Sequence, residues 1–127
     1  MAQLPLNTFR TITSVLTTAS GTDIYTAPVG VTSIVLMAQI SNISTQTVNI
    51  SVIHHRNLPV QQNAQGKNAQ PANVDSFLVD QFGLPSTDAV NVLSGKLILE
   101  ALDSIRATAS VDGSAQLVMS ILESSNA

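Results

Sequence analysis

Apolar and polar residues alternate along much of this chain. In Ile34, Leu36, Ala38 and Ile40 the apolar positions recur every second residue, with Ser33, Gln39 and Ser41 between them, the period of a strand with one buried face. Val35 and Met37 interrupt the polar side. A strand apolar on both sides needs cover on both, from its own fold or from another molecule, which makes Val35 and Met37 candidate partner contacts. The alternation returns in Val48, Ile50 and Val52 and in Leu117, Met119 and Ile121.

Strands are expected near residues 9–17, 22–26, 31–42, 45–55, 76–80, 89–93, 96–101, 104–110 and 115–123, built from Thr, Val, Ile and Ser. Pro28 presets φ for a reverse turn and Gly30 allows positive φ, so Ala-Pro-Val-Gly ends one strand and aims the next. Asp112-Gly113 has the chemistry of a two-residue hairpin turn. The closing LVMSILESS also fits a short helix. Short strands with turn signals every ten or so residues favour an all-β fold, a single-domain antiparallel β-sandwich or jelly roll spanning residues 1–127, over any βαβ arrangement.

Two segments depart from the pattern. Residues 1–8 read as a flexible N-terminus, and residues 57–74, NLPVQQNAQGKNAQPANV, carry two Pro and one Gly without apolar periodicity. A loop that long in a compact domain is usually a contact arm or disordered. We read it as an arm that orders against a neighbour, with Gln61, Gln62, Asn63, Gln65, Lys67 and Asn68 as candidate partner contacts.

Composition narrows the classes. With 127 residues the chain is long enough to bury roughly two-thirds of its unfolded surface without a metal or disulfide staple. Zero Cys removes disulfides, zinc thiolate sites and thiol nucleophiles together. Only 10% of residues are charged, for a net charge of -3, and Arg10, Arg56, Lys67, Lys96 and Arg106 are scattered. Phosphate binding needs clustered cations, so no nucleic-acid partner is expected. Ser, Thr, Asn and Gln take the place of charge, giving a neutral surface suited to a subunit packed among many neighbours. Nothing is apolar for long enough to span a membrane as a helix, and MAQLPLNTFRTIT has no basic start followed by an apolar run. Synthesis in the cytoplasm is the expectation.

The search for chemistry yields little. His54 and His55 are the only histidines, and neighbours in a strand face opposite ways, so they are poorly placed to share a metal or work as a pair. Asp75 and Asp80 flank an apolar core, and Asp103 reads as a turn cap. No Gly-x-Ser-x-Gly elbow and no glycine-rich phosphate loop is present. Asn42 and Asn49 head Asn-x-Ser triplets without secretory context. We expect no enzyme, no cofactor and no metal. A carbohydrate-binding module would want exposed Trp or Tyr, and the chain has no Trp and one Tyr.

Three stretches carry a resemblance. The run DIYTAPVGVTSIVLMAQISN, then LPSTDAVNVLSGKLILEALDSIRATAS, then the closing LVMSILES, resemble small β-sandwich virion structural proteins of tailed bacteriophages, especially T4-like phages of cyanobacteria. The likeness runs from about Thr11 to Ser124 and rests on turns and strand cores. It implies that residues 93–97 and 100–105 form a hairpin turning at Asp103. It further implies a structural protein of the virion, foremost a capsid decoration (cement) protein bound to the major capsid protein lattice as a homo-oligomer, with a trimer as the expected state. A neck, tail or fibre connector is the alternative, and a host-glycan-binding module the third reading.

Overall fold

The computed structural model describes residues 7–19, 22–57 and 73–125. They form nine strands and, among the described residues, no helix: β1 (Asn7–Val15), β2 (Asp23–Thr26), β3 (Val31–Asn42), β4 (Val48–Asn57), β5 (Asn73–Leu84), β6 (Ala89–Asn91), β7 (Leu97–Leu99), β8 (Ser104–Ala109) and β9 (Ala115–Ser125). LVMSILESS is therefore strand, and Asn7 and Thr8, expected in a flexible terminus, pair with Ser124 and Glu123.

All pairings are antiparallel and lie in two sheets. The first, sheet A, runs β1-β9-β3, with β6 and β7 sharing the far side of β3; the second, sheet B, runs β2-β8-β4-β5. First pairs with last throughout: β1 with β9, β2 with β8, β3 with β6 and β7, β4 with β5. One long hairpin rolled up in this way is a jelly roll, and the chain is a single-domain antiparallel β-sandwich.

The core lies between the sheets. Sheet A contributes Val35, Ile40, Leu99, Leu117, Met119 and Ile121, while sheet B contributes Tyr25, Val48, Ile50, Val52, Leu84 and Ile105. Alternation places most of them, as in Leu117, Met119 and Ile121. β3 is the exception. Its register against β9 slips between Val35 and Met37, so Leu36 is an extra residue and the inward phase changes there. Ser33 and Val35 face inward before the bulge, and Ala38, Ile40 and Asn42 after it. The expected core face thus holds for Ala38 and Ile40 and fails for Ile34 and Leu36, which are half-buried.

Two expected hairpins are connections between sheets. The Asp112-Gly113 turn leads from β8 in sheet B to β9 in sheet A. Gly113 has φ 74°, as its turn chemistry requires, and the turn docks on the segment after β1: Gly113 N–H donates to Leu16 O at 3.0 Å and Thr18 N–H to Asp112 Oδ1 at 2.6 Å. The turn at residues 100–103 likewise passes from β7 in sheet A to β8 in sheet B. Local turn chemistry fixes a reversal of direction but not which sheet the next strand joins.

The connections collect at two ends. Residues 27–30 and 100–103 meet at one end, where Ala27 N–H donates to Asp103 O and Leu102 N–H to Ala27 O, both at 2.8 Å. β4 ends and β5 begins at the same end, where His55 pairs with Ser104 and Asp75. At the opposite end Asn42 is 2% exposed and its amide is saturated. Its Nδ2 donates to Gln46 O and Leu84 O, and its Oδ1 accepts from Ser44 N and Oγ. This leaves Asn42 no free amide for a glycan.

Candidate interaction surface

The outer face of sheet A carries an unbroken apolar row. Register pairs Phe9 with Leu122, Leu122 with Ile34, and Ile34 with Ile98, so four strands each place one apolar side chain in line across the sheet. Phe9 is 73% and Ile98 58% exposed at the ends of the row, with Leu122 and Ile34 half-buried between them. Met37 adds to it from the next row, opposite Ser120, and is half-buried. The Val35–Met37 bulge creates this surface, because the phase change turns Ile34 and Met37 to the same side.

Exposed aromatic side chains occur on both sheets, Phe9 on β1 and Phe77 and Phe82 on β5. Phe9, Phe77 and Phe82 are all exposed, and the only aromatic residue in the core is Tyr25. Of the three Phe, Phe9 is the most exposed at 73% and lies on sheet A, where covering it would recover roughly 2 kcal/mol of burial.

The expected contacts fall differently. Val35 is 1% exposed and packs within the sandwich, so it is not a partner contact; the bulge after it sets its side chain inward. Met37 does lie on the outer face. Gln61, Gln62, Asn63, Gln65, Lys67 and Asn68 lie outside the described residues. Ile34 is one of the residues expected in the core, and its grouping with Phe9, Ile98 and Leu122 is not visible in the sequence, because only the register across β1, β9, β3 and β7 brings them together.

Polar side chains gather in pairs that tie the fold. Inside, Tyr25 Oη donates to Glu123 Oε2 at 2.5 Å and, its one proton spent, accepts from Ser33 Oγ at 2.8 Å; Arg10 lies 3.5 Å from the same Glu123 oxygen. Burial, with the hydrogen bond to Glu123, pushes the Tyr25 hydroxyl up to about 12. This network joins β2 of sheet B to β1, β3 and β9 of sheet A.

The histidines face opposite sides of β4, as adjacency requires, and each meets a carboxylate from a distant strand or turn. His54 Nε2 lies 3.2 Å from Asp103 Oδ2, and His55 Nδ1 pairs with Asp75. Asp103, 2% exposed, accepts from Glu100 N–H at 3.1 Å as the expected turn cap and has Arg56 Nε at 3.4 Å, while Arg56 also pairs with Glu100. On the outside of sheet B, Arg106 Nε donates to Asp23 Oδ1 at 2.7 Å and Ser104 Oγ to the same oxygen at 3.0 Å. Burial acts to raise the Asp23 carboxyl, but these two bonds outweigh it and hold it below the usual range. Among the described residues no group of three metal-ligating side chains converges, and no helix is long and apolar enough to cross a membrane.

No protein-family model matches the chain, and no curated protein matches it significantly.

Proposed function

We propose that this chain is a structural subunit of a phage particle, a capsid decoration protein that binds the assembled major capsid protein lattice through the outer face of sheet A. The observation that carries the reading is the Phe9, Leu122, Ile34 and Ile98 row, an apolar stripe on a closed, neutral, low-charge sandwich. Fold alone does not give function, so the capsid as partner rests on the resemblance in the sequence and the stripe supplies the means of contact. The glycan-binding reading loses ground, because its one tyrosine is 6% exposed with its hydroxyl engaged.

The mechanism is mass action. A subunit that binds the assembled lattice and not the free capsid chains stabilises the lattice by its binding free energy, and a self-associated subunit gains further through multivalency. Few charges on the face mean little desolvation cost and little dependence on salt.

The test is Ile98→Asp. Ile98 is 58% exposed on β7, so an aspartate there leaves the fold intact while placing a charge in the stripe. Incorporation into particles should fall at least tenfold at an unchanged melting temperature. Incorporation equal to that of the unaltered chain would remove the stripe as the contact.

A further inference from the structure

The two sheets have four lateral edges, and three are blunted. β2 is four residues long with a register shift between Asp23 and Tyr25. On the far side of β3, β6 and β7 are separate three-residue strands. β5 is long, but its pairing with β4 is broken at two places, Gln81 sits at φ 51°, and Asp75 and Asp80 charge it. Irregularity, brevity and charge are the means by which sheets avoid adding a further strand.

β1 is neither short nor irregular. Nine consecutive residues, NTFRTITSV, pair with β9 from Asn7 to Val15 without a bulge, contain no Pro or Gly, and carry one charge, Arg10. Among the described residues no strand pairs with its other side. Leu16 N–H donates to Ala115 O at 2.9 Å, continuing the β1–β9 register. Backbone direction alternates with period two, so Thr8, Arg10, Ile12 and Ser14 turn their N–H and C=O toward β9. Those of Asn7, Phe9, Thr11, Thr13 and Val15 point to the open edge.

We propose that the open edge of β1 pairs with β1 of a second copy of this chain, antiparallel about a twofold axis at Thr11. That register sets Thr11 against Thr11, Phe9 against Thr13 and Asn7 against Val15, and every outward N–H meets an outward C=O. It is also self-complementary in side chains. Phe9, 73% exposed, comes within diagonal reach of the second copy's Val15, itself 52% exposed, and the pair occurs twice. The two Arg10 side chains fall opposite Ile12 rather than opposite each other, each beside its own Glu123. The apolar stripes of the two copies then lie on the same face of one continuous sheet, offset by four residues along the strands. An isologous pair of this kind is a dimer, in place of the trimer expected from the resemblance. The inference concerns the isolated chain and stands apart from the virion reading.

The experiment uses the absence of native cysteine. Thr11→Cys places one thiol of each copy on the axis, where hydrogen-bonded antiparallel neighbours are about 5.5 Å apart between Cα atoms, within disulfide range. Mild oxidation of the full chain should give a covalent dimer. Thr13→Cys should crosslink at least tenfold more slowly, because the two Thr13 positions stand about 13 Å apart along the strands. By light scattering the unaltered chain should have the mass of two chains. Thr11→Lys, which opposes two ammonium groups on the axis, should have the mass of one at an unchanged melting temperature. A monomeric unaltered chain, or equal crosslinking at positions 11 and 13, overturns the proposal.

Discussion

Tyr25 shows at the scale of one residue how the sandwich is joined. Its ring lies in the core and its hydroxyl bridges Ser33 and Glu123 in the opposite sheet, so Tyr25→Phe removes two hydrogen bonds and leaves the buried Ser33 hydroxyl without its partner, while Glu123 keeps Arg10. We expect a loss of about 1–3 kcal/mol in urea unfolding near neutral pH. The pH dependence gives a second readout. Burial and the bond to Glu123 raise the hydroxyl from 10.0 to about 12, so the folded chain holds the phenol proton more tightly than the unfolded chain does. That contribution is complete below pH 10 and disappears as pH rises toward about 12. The stability difference between the unaltered chain and Tyr25→Phe should therefore narrow over that interval, and a difference constant across it would contradict the assignment.

β3 shows what one strand's sequence does and does not disclose. Its alternation identifies a strand over residues 31–42 and selects Ile34, Leu36, Ala38 and Ile40 as the buried set, yet one extra residue at Leu36 puts Ser33 and Val35 inside instead. The bulge was hidden because Ile34, Val35, Leu36 and Met37 are all apolar, so the change of phase falls where either face could be the buried one. Val35→Ala should accordingly cost about 2 kcal/mol and Ile34→Ala about 1 kcal/mol or less, although isoleucine loses the larger side chain. The reverse order in thermal or urea unfolding would place the phase change elsewhere. The strands themselves were legible from Thr, Val and Ile alternation and from Gly30, Asp112 and Gly113. Their pairing was not. Asp112-Gly113 suits a hairpin and instead crosses between sheets, and His54 meets Asp103 from 49 residues away. Such partners are set by the roll of the whole chain, and local spacing carries no record of them. The apolar stripe was hidden for the same reason: Phe9 and Leu122 are distant in sequence and adjacent only through the β1–β9 register.

At the scale of the molecule, pairing first strand with last gives a closed core with two exposed sheet faces. The face of sheet B is polar where Asp23, Ser104 and Arg106 bond to one another and where His55 meets Asp75. The face of sheet A carries the stripe from Phe9 to Ile98, and beside it runs the one edge that is long, regular and nearly uncharged. One side of the sandwich thus holds both features suited to association, an edge for a second copy and a face for a larger lattice. Several titratable side chains are taken up in pairs, His54 with Asp103, His55 with Asp75, Arg56 with Glu100 and Arg106 with Asp23. The measurement that tests the decoration reading most directly is the copy number of this chain in purified particles, by quantitative mass spectrometry against the major capsid protein. The account predicts hundreds of copies per particle; a dozen or fewer would move the chain to the neck, tail or fibre, and its absence from particles would contradict the account outright.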